Sequence, residues 1–148
     1  SYKQLQLILD NFDIDLVQLP FNIIDRRLID NSLFEILKSK GVEIHVRSVF
    51  LQGLLLMDKR NRPNKFSQWR DLWKLWHEWL HDNNLTALEA TVRYVVSMSE
   101  ITKVLVGIDS KSQLEEIVLA STGGLPDIPK ELFTNDVNLL NPVNWGRL

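Results

Sequence analysis

Lys103 to Glu116 reads KVLVGIDSKSQLEE, a run of aliphatic and β-branched residues that passes through a glycine and opens almost at once into a helical pattern. The apolar run reads as a buried strand over 103–108. Ser110 and Gln113 have capping-box spacing for a helix over 111–120. A strand that hands over directly to a helix leaves the first helical amides pointing at the strand's C-terminal edge, where the helix dipole favours an anion. Two similar runs precede it, DLVQLPF (15–21) and VEIHVRSVF (42–50), and both read as buried strands. Helical patterns cover 2–12, 33–40, 66–82 and 87–98. Ser32 with Glu35 and Thr86 with Glu89 repeat the capping-box spacing, and Gly41 stands where the helix from Leu33 needs a left-handed residue to stop. Strand and helix in alternation imply parallel strands joined by crossovers, so the expected fold is α/β, with about three parallel strands and outer helices. No linker divides residues 1–148, which read as one unit. A turn-rich exit, TGGLPDIPKELF (122–133), leads to a tail expected to dock through Leu139, Leu140 and Trp145.

With 45% hydrophobic and 24% charged residues in 148, the composition is that of a globular domain. A net charge of -2 offers no general attraction to nucleic acid or anionic membrane, and no basic cluster interleaved with aromatics supplies one. The absence of cysteine removes disulfides and thiolate metal sites, and no long apolar span or signal peptide is present, so a cytoplasmic setting is expected. Because the first residues, SYKQLQLILDNF, already have helical periodicity, the chain is expected to begin inside a longer protein.

HEWLH (77–81) fits the H-E-x-x-H pattern of a zinc hydrolase, in which two histidines one turn apart hold the metal and the glutamate acts as base. Its surroundings oppose that reading. Trp69, Trp73, Trp76 and Leu80 form the apolar stripe of this helix, while His77 and His81 share another face with Arg70 and Lys74, which would repel a cation. The spacing that would continue to a third histidine meets Asn84 and Ala87, and Glu100 is the only downstream acid at a plausible distance. The expectation is two solvated histidines near a helix end and no bound metal.

Taken in order, VQLPFNIIDRR (17–27), VRSVFLQGLL (46–55) and RYVVSMSEITKVLVGIDSKSQL (93–114) resemble the C-terminal half of the aldo/keto reductases, eight-stranded βα barrels that carry a nicotinamide dinucleotide across the C-terminal face. The resemblance runs over nearly the whole chain, from the helix before strand six to the C-terminus, and implies a partial (β/α)8 TIM barrel. It puts HEWLH on the outer helix after strand seven. It implies that Gln18 meets the nicotinamide carboxamide. Arg47 takes the place of the family's ring-stacking aromatic. Ser48, Phe50, Gln52 and Gly53 would line the pyrophosphate, and Gly107, Asp109 and Gln113 the adenosine end. Asp109 stands where many members have an arginine for the 2′-phosphate, and Ile117 where they have an asparagine, so NADH is expected over NADPH. The family's catalytic aspartate, tyrosine, lysine and histidine come from the first half of the barrel. Tyr2 and Tyr94 fall on helices here and Lys103 on the wrong strand edge, so no catalytic residue is assigned.

The resemblance thus implies a fragment of an NAD(P)H-dependent oxidoreductase acting on small aldehydes or ketones, inactive alone, with the N-terminal barrel half as its partner. The alternative is a non-catalytic nucleotide-binding or assembly module. Open sheet edges lead in either case to an expectation of self-association.

Overall fold

The computed structural model describes residues 2–30 and 32–147; Ser1 and Leu148, which bound the stretches read above, lie outside them. Helix α1 (Tyr2–Asn11) leads to strand β1 (Leu16–Pro20), the single turn α2 (Arg27–Asp30) and helix α3 (Leu33–Ser39). Strand β2 (Glu43–Arg47) follows, then 3-10 turns at Leu54–Leu56 and Asn64–Trp69, helix α4 (Arg70–Asp82) and helix α5 (Ala87–Val96). Strand β3 (Lys103–Val104), helix α6 (Lys111–Ala120), a 3-10 turn at Lys130–Leu132, α7 (Val137–Leu140) and a last 3-10 segment, Pro142–Arg147, complete the chain. The strands form one sheet in the order β1-β2-β3, all parallel, with Gln18 beside His45 and Val46 beside Val104.

Two expectations about the strands need correction. They are shorter than the apolar runs: β2 stops at Arg47 because Ser48 turns into the left-handed region (φ 63), and β3 pairs over two residues before 105–108 leaves the ladder. Nor are they buried on both faces. Ile44 and Val46 point into the core, whereas Arg47 is exposed and Glu43 and His45 only partly covered. The alternation is the period-2 signature of a sheet with helices on one side only.

On that side the core runs from Leu5 and Leu9 of α1 through Leu33, Phe34 and Leu37 of α3 to Leu139 and Leu140 of α7. Helix α4 contributes Trp73, Trp76, Trp79 and Leu80; Trp69 lies in the preceding 3-10 segment, and the helix starts at Arg70, four residues later than the expected 66. Burying an indole leaves its N–H needing an acceptor. Trp73 donates to the Phe66 carbonyl, Trp76 to that of Leu55, Trp79 to that of Asp127, and Trp69 to the Asp136 carboxylate. The tail docks as expected: Trp145 meets the Phe66 ring edge-on at 4.9 Å and donates to the Leu139 carbonyl.

Of the caps read from the sequence, Thr86 and Glu89 form a full capping box. Gly41 adopts φ +72, as the end of α3 requires. Ser32 does not cap: it is itself left-handed, φ 50, and its side chain makes no capping bond, because the turn from α2 into α3 takes the backbone away from the extended conformation a cap needs. No helix among the described residues is long and apolar enough to cross a membrane.

Candidate functional site

At the C-terminal ends of the three strands lies a groove of about 1130 Å³. Its floor and walls come from β1, the loop after β2, the stretch after β3 and the start of α6. Gln18, Arg47, Ser48, Phe50, Gln52, Gly53, Gly107, Asp109 and Gln113 all line it, so residues chosen from three distant segments share one concavity.

The loop after β2 is held from below. Leu51, Leu54 and Leu55 are buried in the core, which fixes the backbone between them. Leu51, Gln52 and Gly53 have φ of 47, 54 and 79, three successive left-handed residues. Non-glycine residues rarely adopt that conformation, and it persists here because the buried leucines on either side determine the path. A Cβ on Gly53 would meet nothing within 4 Å, so the conformation, not crowding within the chain, is what calls for glycine. The curl leaves the Phe50, Gln52 and Gly53 amides without an acceptor among the described residues. Unpaired backbone N–H groups in a left-handed curl suit an anion.

Sequence reasoning missed the residues that brace this loop from β1. Asn22, 1% exposed, donates to the Ser48 carbonyl at 3.3 Å and accepts from the amides of Ile24 and Asp25. Asp25, 2% exposed, takes two bonds from Arg27, at 2.8 and 2.7 Å, and that carboxylate raises the Arg27 pKa. The available signal was an Asn and an Asp, three apart, in an otherwise apolar loop, since buried polar groups must find partners. Glu116, one turn beyond Gln113 on α6, also lines the groove, and helical period alone could have found it.

Charge is graded along the groove. The Arg47 guanidinium, exposed at the end of β2, bonds only the Ser48 hydroxyl, at 3.2 Å, and meets no carboxylate within 4.0 Å among the described residues. The α6 end carries Asp109 and Glu116. Ser110 caps α6 by accepting from the Gln113 amide at 3.2 Å, while Gln113 reaches back to the Asp109 amide at 2.7 Å, one residue before the cap. The box expected for Ser110 and Gln113 is therefore displaced by one position. Lys111 sits 3.3 Å from Glu115 and so has a counter-charge on its own helix.

HEWLH lies on α4, whose residues do not line the groove. His81 is exposed, but His77 is half-buried, with Nε2 at 3.2 Å from an Arg62 guanidinium nitrogen. This corrects the reading of both histidines as solvated. Burial first, then the Arg62 charge, lowers the pKa of His77. A nitrogen accepting from a guanidinium is not free to ligate zinc, and among the described residues no group of three or more His, Cys, Asp or Glu could hold a metal.

Parallel strands with outer helices, and a groove at their C-terminal ends, define a segment of a βα barrel with its ligand face open. Residues 1–127 match the aldo/keto reductase family, and the chain belongs to that family. Among solved structures, the aldo-keto reductase AKR11C1 from Bacillus halodurans is similar in its holo form (20% identity, TM-score 0.60, over 84% of this chain and 42% of that one). Its apo form is similar too (22% identity, TM-score 0.62, over 87% of this chain and 44% of that one). The chain thus spans less than half the length of the Bacillus protein. A search of curated proteins finds no match to the sequence.

Proposed function

We propose that the chain is the dinucleotide-gripping part of an NAD(P)H-dependent reductase of aldehydes or ketones. One observation carries this reading: three strand ends converge on a single groove that offers unpaired amides and an Arg47 cation without a carboxylate. The residues fit the cofactor chemically. The Phe50, Gln52 and Gly53 amides suit pyrophosphate oxygens, the Gln18 amide suits a carboxamide, and Asp109 suits ribose hydroxyls.

When bound, the cofactor supplies a hydride to the substrate carbonyl. The work of this chain is to bind and orient it. Arg47, a fixed positive charge at the nicotinamide end, favours the neutral reduced ring over the cationic oxidised one, and its planar guanidinium can stack on that ring. Asp109 at the other end favours NADH, since a carboxylate accepts from a free 2′-hydroxyl and repels a 2′-phosphate. The proton that completes the reduction comes, in this reading, from residues of the N-terminal barrel half, and the small carbonyl substrate binds chiefly there. Lack of cysteine agrees with a cytoplasmic enzyme.

The open inner face of the sheet favours a second reading, a non-catalytic assembly module. Calorimetric titration with NADH, and carbonyl-reduction assays of the chain with and without the N-terminal half, separate the two. Binding of NADH, with activity only when both halves are present, is the expected result. Failure to bind either reduced cofactor, with no activity on recombination, would leave the module.

A further inference from the structure

A second concavity, of about 470 Å³, lies between the loop that leads into the Asn64–Trp69 turn and the outer side of α4, and shares no lining residue with the groove. Lys59, Arg62, Arg70, Lys74 and His77 line it, against the single acid Glu78. Arg70 and Lys74 have carboxylates beside them, Asp71 at 3.6 Å and Glu78 at 3.7 Å. Lys59 and Arg62 have none within 4.0 Å among the described residues.

Arg62 decides the reading. One of its terminal nitrogens lies 3.2 Å from both the Met57 carbonyl and His77 Nε2, and its guanidinium carbon is 4.2 Å from the centre of the Trp73 ring. Its Nε is buried and bonds nothing. A half-buried cation is therefore held by a carbonyl, an imidazole and a π-face, with a donor left over and no carboxylate within 4.0 Å among the described residues. Burial lowers its pKa and the field of Asp58 opposes this, but a guanidinium stays charged at any physiological pH. Removing such a charge from water without a partner is unfavourable, and an anion entering the concavity would remove the deficit.

We propose that this concavity is a binding site for a small multiply charged anion of the phosphate-monoester class, held by Arg62 and Lys59 with His77 beside them. Two cations with no carboxylate within 4.0 Å among the described residues match two negative charges; of the Arg62 donors, Nη2 is shared between Met57 and His77 and Nε is buried, which leaves Nη1 for a phosphate oxygen. While His77 Nε2 accepts from Arg62 it has no proton to give the site, and it can take one only when that nitrogen turns toward the anion. A dianion there reverses the field at the imidazole and draws a proton onto it. The charged groups around His77 are Asp58, Lys59 and Arg62 on the loop, and Arg70, Lys74, Glu78 and His81 on its own helix. Asp58 is engaged by Arg60 at 3.1 Å, and together with Glu78 it limits the affinity.

The test follows the imidazole resonances of the 3 histidines at a pH of about 7, where a phosphate monoester is mostly dianionic, as phenyl phosphate is added against sodium chloride of equal ionic strength. His77, assigned by its loss in His77→Gln, should move toward its protonated position while His45 and His81 stay. Arg62→Gln should weaken the response about tenfold, and Arg47→Gln in the groove should leave it unchanged. Should Arg62→Gln fail to fold, Lys59→Gln serves in its place, with a loss of about threefold expected and an unchanged response overturning the site. No selective change at His77 at millimolar probe, or a full response in Arg62→Gln, also overturns it. An equal response to benzoate would overturn the assignment to phosphate.

Discussion

Asp109 lines the α6 end of the groove, and His77 is half-buried against Arg62. In the proposed reading Asp109 lies beside an adenosine ribose, where an acid has a direct electrostatic meaning. Lys111, a cation that could offset it, sits 3.3 Å from Glu115. Asp109→Arg should therefore shift the cofactor preference of the reconstituted enzyme from NADH toward NADPH by about tenfold, measured as a ratio of dissociation constants. An unchanged ratio would show that this position does not read the 2′ group. His77 reads as solvated in the sequence and is half-buried in the structure, because its partner, Arg62, lies fifteen positions away in a loop without periodicity. Its pKa is held below the ordinary 6.5 in the folded chain. The unfolded chain takes up a proton near that value and the folded chain does so only at lower pH, so the stability due to neutral His77 is intact above 6.5 and lost as pH falls through the folded value. Urea midpoints at pH about 7.5 and about 5.5 should differ less in His77→Gln than in the parent.

Elements were legible where local chemistry decides them. Helix α6 begins and ends where its cap and apolar period say, and α5 carries the full box of Thr86 and Glu89. That box is also the start of a longer chain of bonds. The Thr86 amide and hydroxyl, then the Arg93 guanidinium, hold the Glu89 carboxyl below its ordinary pKa. Arg93 in turn donates to the carbonyls of Ala120 and Gly124, binding α5 to the end of α6. Thr86→Ala should cost about 1 kcal/mol, read as a fall of about 3 °C in Tm. Gly123→Ala should cost more, since φ is +113 there and the added Cβ would lie 2.9 Å from Cζ of Arg93. A smaller loss in Gly123→Ala than in Thr86→Ala would mean that Arg93 can move aside without loss of its carbonyl partners. The strands and the 3-10 turns were less legible. Apolar runs do not say where pairing stops, and Ser48, Leu51 and Gln52 take left-handed backbone that no local rule assigns to them.

Across the molecule, the order of elements identified the barrel segment, but exposure could not be read from apolar runs alone. The sheet packs helices on one face only; on its other side, Leu16 is 43% and Leu105 38% exposed, and the outer edges of β1 and β3 pair with no strand among the described residues. Such edges recruit other strands. We expect the chain in isolation to self-associate, so that sedimentation gives a mass that rises with concentration, and addition of the N-terminal barrel half should suppress the effect. A compact monomer at all concentrations would mean that nothing needs to cover this face.

Each tryptophan donates its indole N–H to an oxygen, and these oxygens lie in the tail, the turn after β2, the segment before α4 and the exit segment, so the residues form a distributed set of optical reporters. Trp69 and Trp145 watch the tail, Trp76 the turn after β2, and Trp79 the exit segment. Trp76 and Trp79 also stack, 5.7 Å apart at 26°, close enough for their excited states to couple. Near-ultraviolet light can thus record whether the tail, the groove loop and α4 come apart together or in turn, with no foreign label.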